Sequence, residues 1–143
     1  MPTSWTDKLR NGRPHQVKRV PIDIAGMKAG QVMLVPSPQL VDGFIRRLPK
    51  GRGMALPELR LAMARRHRAE VTCPITMGFQ LRIVAEAAWE MHNAGAKPAD
   101  LAPVWRVLDD ASPTLKKLSR PAIAFMRECR RREGLPARPP DAL

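Results

Sequence analysis

The chain has 143 residues, which suits a single domain, and its 44% hydrophobic content indicates a globular rather than a disordered protein. Lys and Arg outnumber Asp and Glu by 25 to 13, and the resulting net charge of +12 favours a polyanionic partner. No apolar run approaches the ~20 residues of a membrane span, and the first residues lack the apolar segment of a signal peptide, so we expect a cytoplasmic protein.

The two ends of the chain differ in composition from the middle. Residues 1–21 are polar and basic and are interrupted by glycine and proline, which predicts a flexible arm. The segment QVMLV over 31–35 is the clearest strand signal, because it is short, apolar and β-favouring. Residues 22–134 are predicted to form the domain, and the proline-rich residues 135–143 a disordered tail.

Four helices are predicted from apolar residues at 3–4 spacing and from serine, proline and glycine at their ends. They span residues 38–48, 56–66, 72–93 and 119–133. The segment PVWRVL is short and apolar and is a candidate for a second strand. This pattern indicates a mainly α fold with one or two short strands, the outline of a small winged-helix or helix-turn-helix domain. In the third helix, the stripe predicted to face the core is Ile75, Phe79, Ile83, Val84, Ala87 and Met91.

The positive charge is concentrated in the middle of the chain. Residues 46–68 hold eight basic residues against Glu58, around a turn whose glycines let the backbone approach a phosphate closely. Arginine forks suit phosphate oxygens, so a nucleic acid is the predicted partner. Membrane surfaces and RNA fit the charge as well as double-stranded DNA does, and a solvated basic face is the alternative. The predicted DNA-binding residues are Arg46, Arg47, Lys50, Gly51, Arg52, Arg65, Arg66, Arg68, Thr76, Gly78 and Arg82.

An ordered series of motifs runs from Phe44 to Gly134. It comprises RRLPKGRGMALPELRLAMARRH, CPITMGFQLRIVAEAAWE, PVWRVL and AIAFMRECRRREG. In order and spacing this series resembles the DNA-binding domain of the methylguanine-DNA methyltransferase (alkyltransferase) family, and the front part looks like small bacterial proteins grouped with it. The resemblance implies a winged helix that presents its recognition helix to the minor groove of DNA. Matching positions are Pro49, Gly51, Glu58, Gly78, Pro103, Arg106 and Val107.

The residues that would carry the family's chemistry are replaced. By the resemblance, Leu56 stands at the nucleotide-rotating Tyr and Ile75 at the intercalating Arg, while Val104 stands at the acceptor Cys. The resemblance therefore implies a degenerate, alkyltransferase-like member that binds DNA without repairing it. Trp105 and Arg106 form the candidate base pocket, and a structural role in the core is the alternative for Trp105.

Cys73 is the best remaining candidate nucleophile. It precedes Pro74 at a predicted helix N-terminus, where the helix dipole and free N–H groups lower a thiol pKa. Transfer of an alkyl group to Cys73 is therefore an alternative function, and a thiol that fills a small apolar space is the other interpretation. No metal site or cofactor is predicted, because the histidines are scattered and neither cysteine has a ligand partner at zinc-binding spacing. A protein-binding regulator on the same scaffold is the third alternative.

Overall fold

The structure, a computed structural model, describes residues 3–138. Over these residues the fold is mainly α, with six helices around one three-stranded sheet, and this part of the fold prediction is confirmed. Single 3-10 turns occur at Pro98–Asp100 and Val104–Arg106. In chain order the elements are α1 (Trp5–Arg10), β1 (Gln16–Arg19), β2 (Val32–Val35), α2 (Pro38–Ile45), α3 (Leu56–Arg66), β3 (Val71–Thr72), α4 (Pro74–Asn93), α5 (Pro113–Lys116) and α6 (Arg120–Arg132).

The sheet has the strand order β1-β2-β3. β1 runs antiparallel to β2, with Gln16 opposite Val35, and β2 runs parallel to β3, with Met33 opposite Val71. The predicted strand at 31–35 is confirmed as β2. β1 and β3 were not predicted, so the described residues hold three strands where one or two were expected. The segment PVWRVL forms a 3-10 turn rather than the second strand.

Serine caps and prolines determine where α2 and α6 begin. Ser37 Oγ accepts a hydrogen bond from the backbone N–H of Leu40 at 3.1 Å, and Ser119 Oγ accepts one from Ala122 at 3.4 Å. Each helix has a proline in its first turn, where the missing N–H leaves no bond unmade. α2 ends at Ile45, earlier than predicted, because the N–H groups of Arg47 and Leu48 bond carbonyls three residues back and tighten the chain.

The core face of α4 agrees with the prediction in the second half of the helix and differs from it in the first half. Met77, Leu81 and Val84 are each 1% exposed, whereas Ile75 is 48% and Phe79 is 65% exposed. Val84 and Ala87 of the predicted stripe are buried, as expected. Ile75 and Phe79 lie about 200° around the helix from their buried neighbours Met77 and Leu81, so the first half of the stripe faces away from the core. The helix carries apolar residues on both faces, and the helices packed against it decide which face is buried.

Two glutamates of α4, one helical turn apart, bind the N-termini of two other helices. Glu90 accepts hydrogen bonds from the backbone N–H groups of Trp5 at 2.9 Å and Thr6 at 3.1 Å. Burial would raise the pKa of Glu90, but these bonds outweigh it and hold the pKa below its ordinary value. Glu86, 3% exposed, accepts from the backbone N–H and the hydroxyl of Ser119, both at 2.8 Å. α4 is therefore the element on which α1 and α6 are positioned.

The expected flexible arm and tail are corrected in part. Within residues 1–21, α1 buries Leu9 and is bound by Glu90, and β1 belongs to the sheet, so residues 5–19 are part of the domain. At the other end, the carbonyl of Ala137 accepts a hydrogen bond from Asp110 at 2.7 Å, which ties this residue to the domain. Residues 139–143 of the predicted tail lie outside the described residues.

Candidate nucleic-acid interface

A groove of about 500 Å³ lies between the first turns of α3, the first half of α4, and α5. We call it the α4 groove. Arg60, Arg82 and Lys117 line it and supply its charges, and no carboxylate is among the described residues that line it. Its floor and walls are largely apolar, and the larger apolar residues are Leu56, Pro74, Ile75, Met77, Phe79 and Leu81. The groove therefore combines exposed apolar surface with positive charge only.

Two of the three predicted DNA-binding residues on α4 line this groove, namely Gly78 and Arg82. An added Cβ at Gly78 would lie 3.9 Å from Thr114 Oγ1, an ordinary contact, so the glycine opens the groove without being required by packing. Thr76 is half-buried and its hydroxyl donates to Cys73 Sγ at 3.4 Å, so it is turned toward the protein.

Ile75, Phe79, Arg60 and Lys117 are groove residues that sequence reasoning missed. The two apolar residues had a signal, because apolar positions recur on both faces of α4, but periodicity alone does not say which face is buried. Arg60 and Lys117 gave no signal in the sequence beyond their charge, because α3 and α5 are far apart along the chain and only the tertiary fold brings them to α4.

The predicted basic turn is anchored to the rest of the protein. The N–H of Gly51, whose φ is +82°, donates to Glu133 Oε1 at 2.7 Å, and the N–H of Met54 donates to the carbonyl of Arg106 at 2.9 Å. Lys50 and Arg52 remain exposed. The turn therefore holds its two cations at a fixed place, just before α3 begins.

Glu133, at the end of α6, is the centre of this anchor. Besides Gly51, its carboxylate accepts hydrogen bonds from Trp105 Nε1 and from the guanidinium of Arg106, at 2.9 Å from Nε and 3.0 Å from Nη2. Burial would raise the pKa of Glu133, but the bonds from Arg106, Gly51 and Trp105 outweigh it and hold the pKa below its ordinary value. A charged glutamate thus joins the basic turn, the 3-10 turn at 104–106 and α6.

The base pocket predicted at Trp105 and Arg106 is not formed. Trp105 is 2% exposed and packs edge-on against Phe125, with ring centroids 5.8 Å apart. Arg106 pairs with Glu133 and donates to the carbonyl of Leu48 at 2.6 Å. Both side chains are occupied inside the protein, so the structural alternative describes Trp105.

The remaining predicted DNA-binding residues separate into different places. Arg46 pairs with Asp42 at 2.7 Å and donates to the carbonyl of Asp100 at 3.3 Å, so its charge is partly neutralised. Arg47 and Arg66 line one small cavity between α2 and α3. Arg65 and Arg68 are exposed at the end of α3, and Arg68 has a φ of 57°. The predicted set is therefore not one continuous surface with the α4 groove.

Cys73 occupies the predicted N-cap position of α4, but its side chain makes no cap hydrogen bond. The thiol is 8% exposed and belongs to a small apolar cluster with Val20, Met27 and Met33. Cys129 is also buried, and burial raises the pKa of its thiol to about 11. The surroundings of Cys129 are those of a packed, unreactive thiol, whereas Cys73 fills a small apolar space and its Sγ accepts the hydrogen bond from Thr76.

Acidification is expected to lower the stability of the domain through His67. Its ring centroid lies 4.8 Å from that of His15, and burial, His15 and Arg66 hold its pKa below the ordinary 6.5. Just below pH 6.5 the unfolded chain binds a proton that the folded protein does not, so the free energy of unfolding falls as the pH drops toward the folded pKa. Urea unfolding at about pH 7.5 and about pH 5.5 will show this fall in the wild type and a smaller one in His67→Gln. An equal fall in both proteins would contradict the assignment.

Comparison with known proteins does not assign a family. No family model, no curated protein and no solved structure matches the chain. Across residues 3–138, no helix has the length and apolar character needed to cross a membrane. In the same part of the chain, no three His, Cys, Asp or Glu side chains gather in a group that could hold a metal ion. A function therefore has to be inferred from the chain's own side chains.

Proposed function

We propose that this chain is a non-enzymatic, cytoplasmic DNA-binding protein of the alkyltransferase-like, winged-helix type, with α4 as the helix that enters the minor groove of a duplex. The observation that carries the proposal is the exposure of Ile75 and Phe79 in a groove whose only charges are cationic. Large exposed apolar side chains that are rimmed by charged residues mark interaction surfaces, and the sign of the charge selects a polyanion.

The two kinds of side chain match the two parts of a duplex surface. Arg60, Arg82 and Lys117 bind phosphate oxygens, and release of condensed counterions drives the association. Ile75 and Phe79 meet sugars and base edges, as apolar side chains of minor-groove binding proteins do. Because the minor groove presents a degenerate hydrogen-bonding pattern, the expected base specificity is low.

Lys50 and Arg52 extend the cationic surface at the start of α3. The turn that carries them leads directly into Leu56, a residue of the α4 groove, and the Gly51–Glu133 hydrogen bond fixes its position. A fixed turn loses little conformational freedom when a phosphate binds, so more of the interaction free energy appears as affinity.

Duplex binding measured by fluorescence anisotropy across a salt series tests the proposal. If about six phosphates are contacted, the logarithm of affinity falls with the logarithm of salt concentration at a slope of about −5. Removing two phosphate contacts in Arg60→Ala/Arg82→Ala is expected to reduce the magnitude of that slope by about 2. The matched control, Arg127→Ala/Arg132→Ala, removes the same charge from exposed positions on α6 and is expected to keep the slope. A flat salt dependence in the wild type would sink the proposal.

The same titration with a methylguanine duplex separates the alternatives. Tighter binding of that duplex would assign a lesion sensor, and equal binding a general DNA-binding protein. Intact mass after incubation is expected to be unchanged, because Cys73 is buried among apolar side chains. A gain of one methyl group that disappears in Cys73→Ala would instead establish an alkyltransferase. If no duplex binds, the protein-binding regulator is the alternative that remains.

A further inference from the structure

A second cationic surface lies between α2 and α3. Arg47 and Arg66 line a small cavity of about 160 Å³ there, together with Gln39, Leu40, Gly43 and Phe44. We call this surface the α2–α3 corner. Neither arginine has a carboxylate partner among the described residues, and an added Cβ at Gly43 would meet no atom within 4 Å, so the cavity is open at that side. Two unpaired guanidinium groups beside an opening of this size suit a phosphate group.

The loop between α1 and β1 adds positive charge to the same corner. Gln39 Nε2 donates to the carbonyl of Arg10 at 3.0 Å and to that of Gly12 at 3.3 Å, so this loop lies against α2. Farther along the loop, His15 contacts His67 at the end of α3. Arg10, the last residue of α1, and Arg13, on the loop, are both exposed. The loop therefore joins the ends of α2 and α3 into one cationic surface that the chain order does not suggest.

The α2–α3 corner and the α4 groove are on different sides of α3. Arg60 lines the groove and Arg66 lines the corner, and the two are six residues apart on one helix. Six residues correspond to roughly 120° around a helix axis and about 9 Å along it. The exposed face of α3 between them carries Leu61, Glu58 and Arg65, which are an apolar, an acidic and a basic side chain. The different directions in which Arg60 and Arg66 leave α3, rather than a break in the charge, separate the two surfaces.

We propose that the α2–α3 corner is a second binding site for the phosphate backbone of duplex DNA, so that one molecule holds two duplex segments at once. The inference rests on the proposed function for the first of the two sites. Among the described residues that line it, the corner has no large apolar side chain as exposed as Phe79, so it binds the backbone and carries no base recognition.

Stoichiometry measured at protein concentrations well above the dissociation constant tests the proposal directly. Sedimentation velocity with a short labelled duplex is expected to give two duplexes per wild-type molecule. Arg47→Ala/Arg66→Ala is expected to bind one, and Arg60→Ala/Arg82→Ala also one, because each keeps the other site. The control Arg127→Ala/Arg132→Ala is expected to bind two. All six substituted arginines except Arg60 are exposed, and far-UV circular dichroism with thermal melting checks that every variant is folded.

A bead assay reports the consequence for longer DNA. Duplex fixed on beads is expected to capture a free labelled duplex through the wild-type protein, and Arg47→Ala/Arg66→Ala is expected to lose this capture. Saturation of the wild type at one duplex per molecule would overturn the second site and leave the proposed function standing. Failure of the wild type to bind any duplex would overturn both. Self-association of the free protein that is lost in Arg47→Ala/Arg66→Ala would show the corner to be a protein interface, which also overturns the second site.

Discussion

Glu133→Ala is expected to lower the free energy of unfolding by about 3–5 kcal/mol, the usual cost of removing one partner from a buried ion pair. The side chains of Glu133 and Arg106 are only 7% and 12% exposed. Without the carboxylate the guanidinium loses its ion-pair partner and keeps only the carbonyl of Leu48, while the indole N–H of Trp105 and the N–H of Gly51 lose their acceptor. Urea unfolding monitored by circular dichroism measures the change.

Glu128 provides the matched control on the same helix. It pairs with Arg131 and Arg132, but these are exposed side chains in water, where ion pairs contribute little. Glu128→Ala is therefore expected to leave the unfolding midpoint nearly unchanged. Similar losses in the two variants would show that the Glu133 cluster does not stabilise the fold beyond an ordinary surface pair.

The Glu133 cluster also has a pH signature. The pKa of Glu133 is held below its ordinary 4.5, so its stabilisation is present above pH 4.5 and is lost as the pH falls through the folded pKa. The wild type is therefore expected to lose stability in acid more steeply than Glu133→Gln, which carries no titrating group at this position.

Leu81→Ala is expected to cost about 2–5 kcal/mol, whereas Phe79→Ala changes the stability by no more than about 0.5 kcal/mol. Leu81 is 1% exposed and leaves a cavity when truncated, while Phe79 is 65% exposed and contributes little packing. Removal of the larger side chain is thus expected to cause the smaller loss of stability. Denaturant unfolding of the two variants measures this directly, and a larger loss for Phe79→Ala would mean that Phe79 faces the core as predicted.

Local signals in the sequence determine most of the helices. The serine and proline pairs before α2 and α6 fix their first turns, and α3 spans 56–66 as predicted. These features depend on neighbouring residues, so the chain order alone reveals them. The strand β2 is found for the same reason, because its apolar run is bounded by glycine and proline.

Features that depend on distant residues could not be predicted. β3 has only two residues and exists because β2 supplies its hydrogen-bond partners. The choice between the two apolar faces of α4 depends on α1, α2, α5 and α6, which no local pattern encodes. In the sequence Glu133 is a charged residue at the end of a helix, which is typical of the surface. Its carboxylate is buried and hydrogen-bonded only because the fold brings residues 51 and 106 back to that point.

The separation of predicted cations has the same origin. Arg47, Arg60, Arg66 and Arg82 are equivalent as charges in a sequence, and the +12 balance treats them alike. The fold places Arg60 and Arg82 in one groove and Arg47 and Arg66 in another cavity. Charge clustering along the chain therefore predicts a polyanionic partner but not the number of surfaces that meet it.

The glutamates of α4 have a consequence for the order in which the chain folds during synthesis. α1 has six residues, too few to persist as an isolated helix, and its capping carboxylate on Glu90 lies 85 residues downstream of Trp5. We therefore expect α1 to fold only after α4 has left the ribosome. Ser119 comes 33 residues after Glu86, so α6 is made after α4 and is expected to dock on it. The expected order is closure of the domain from its middle outward, with α4 as the template for both ends.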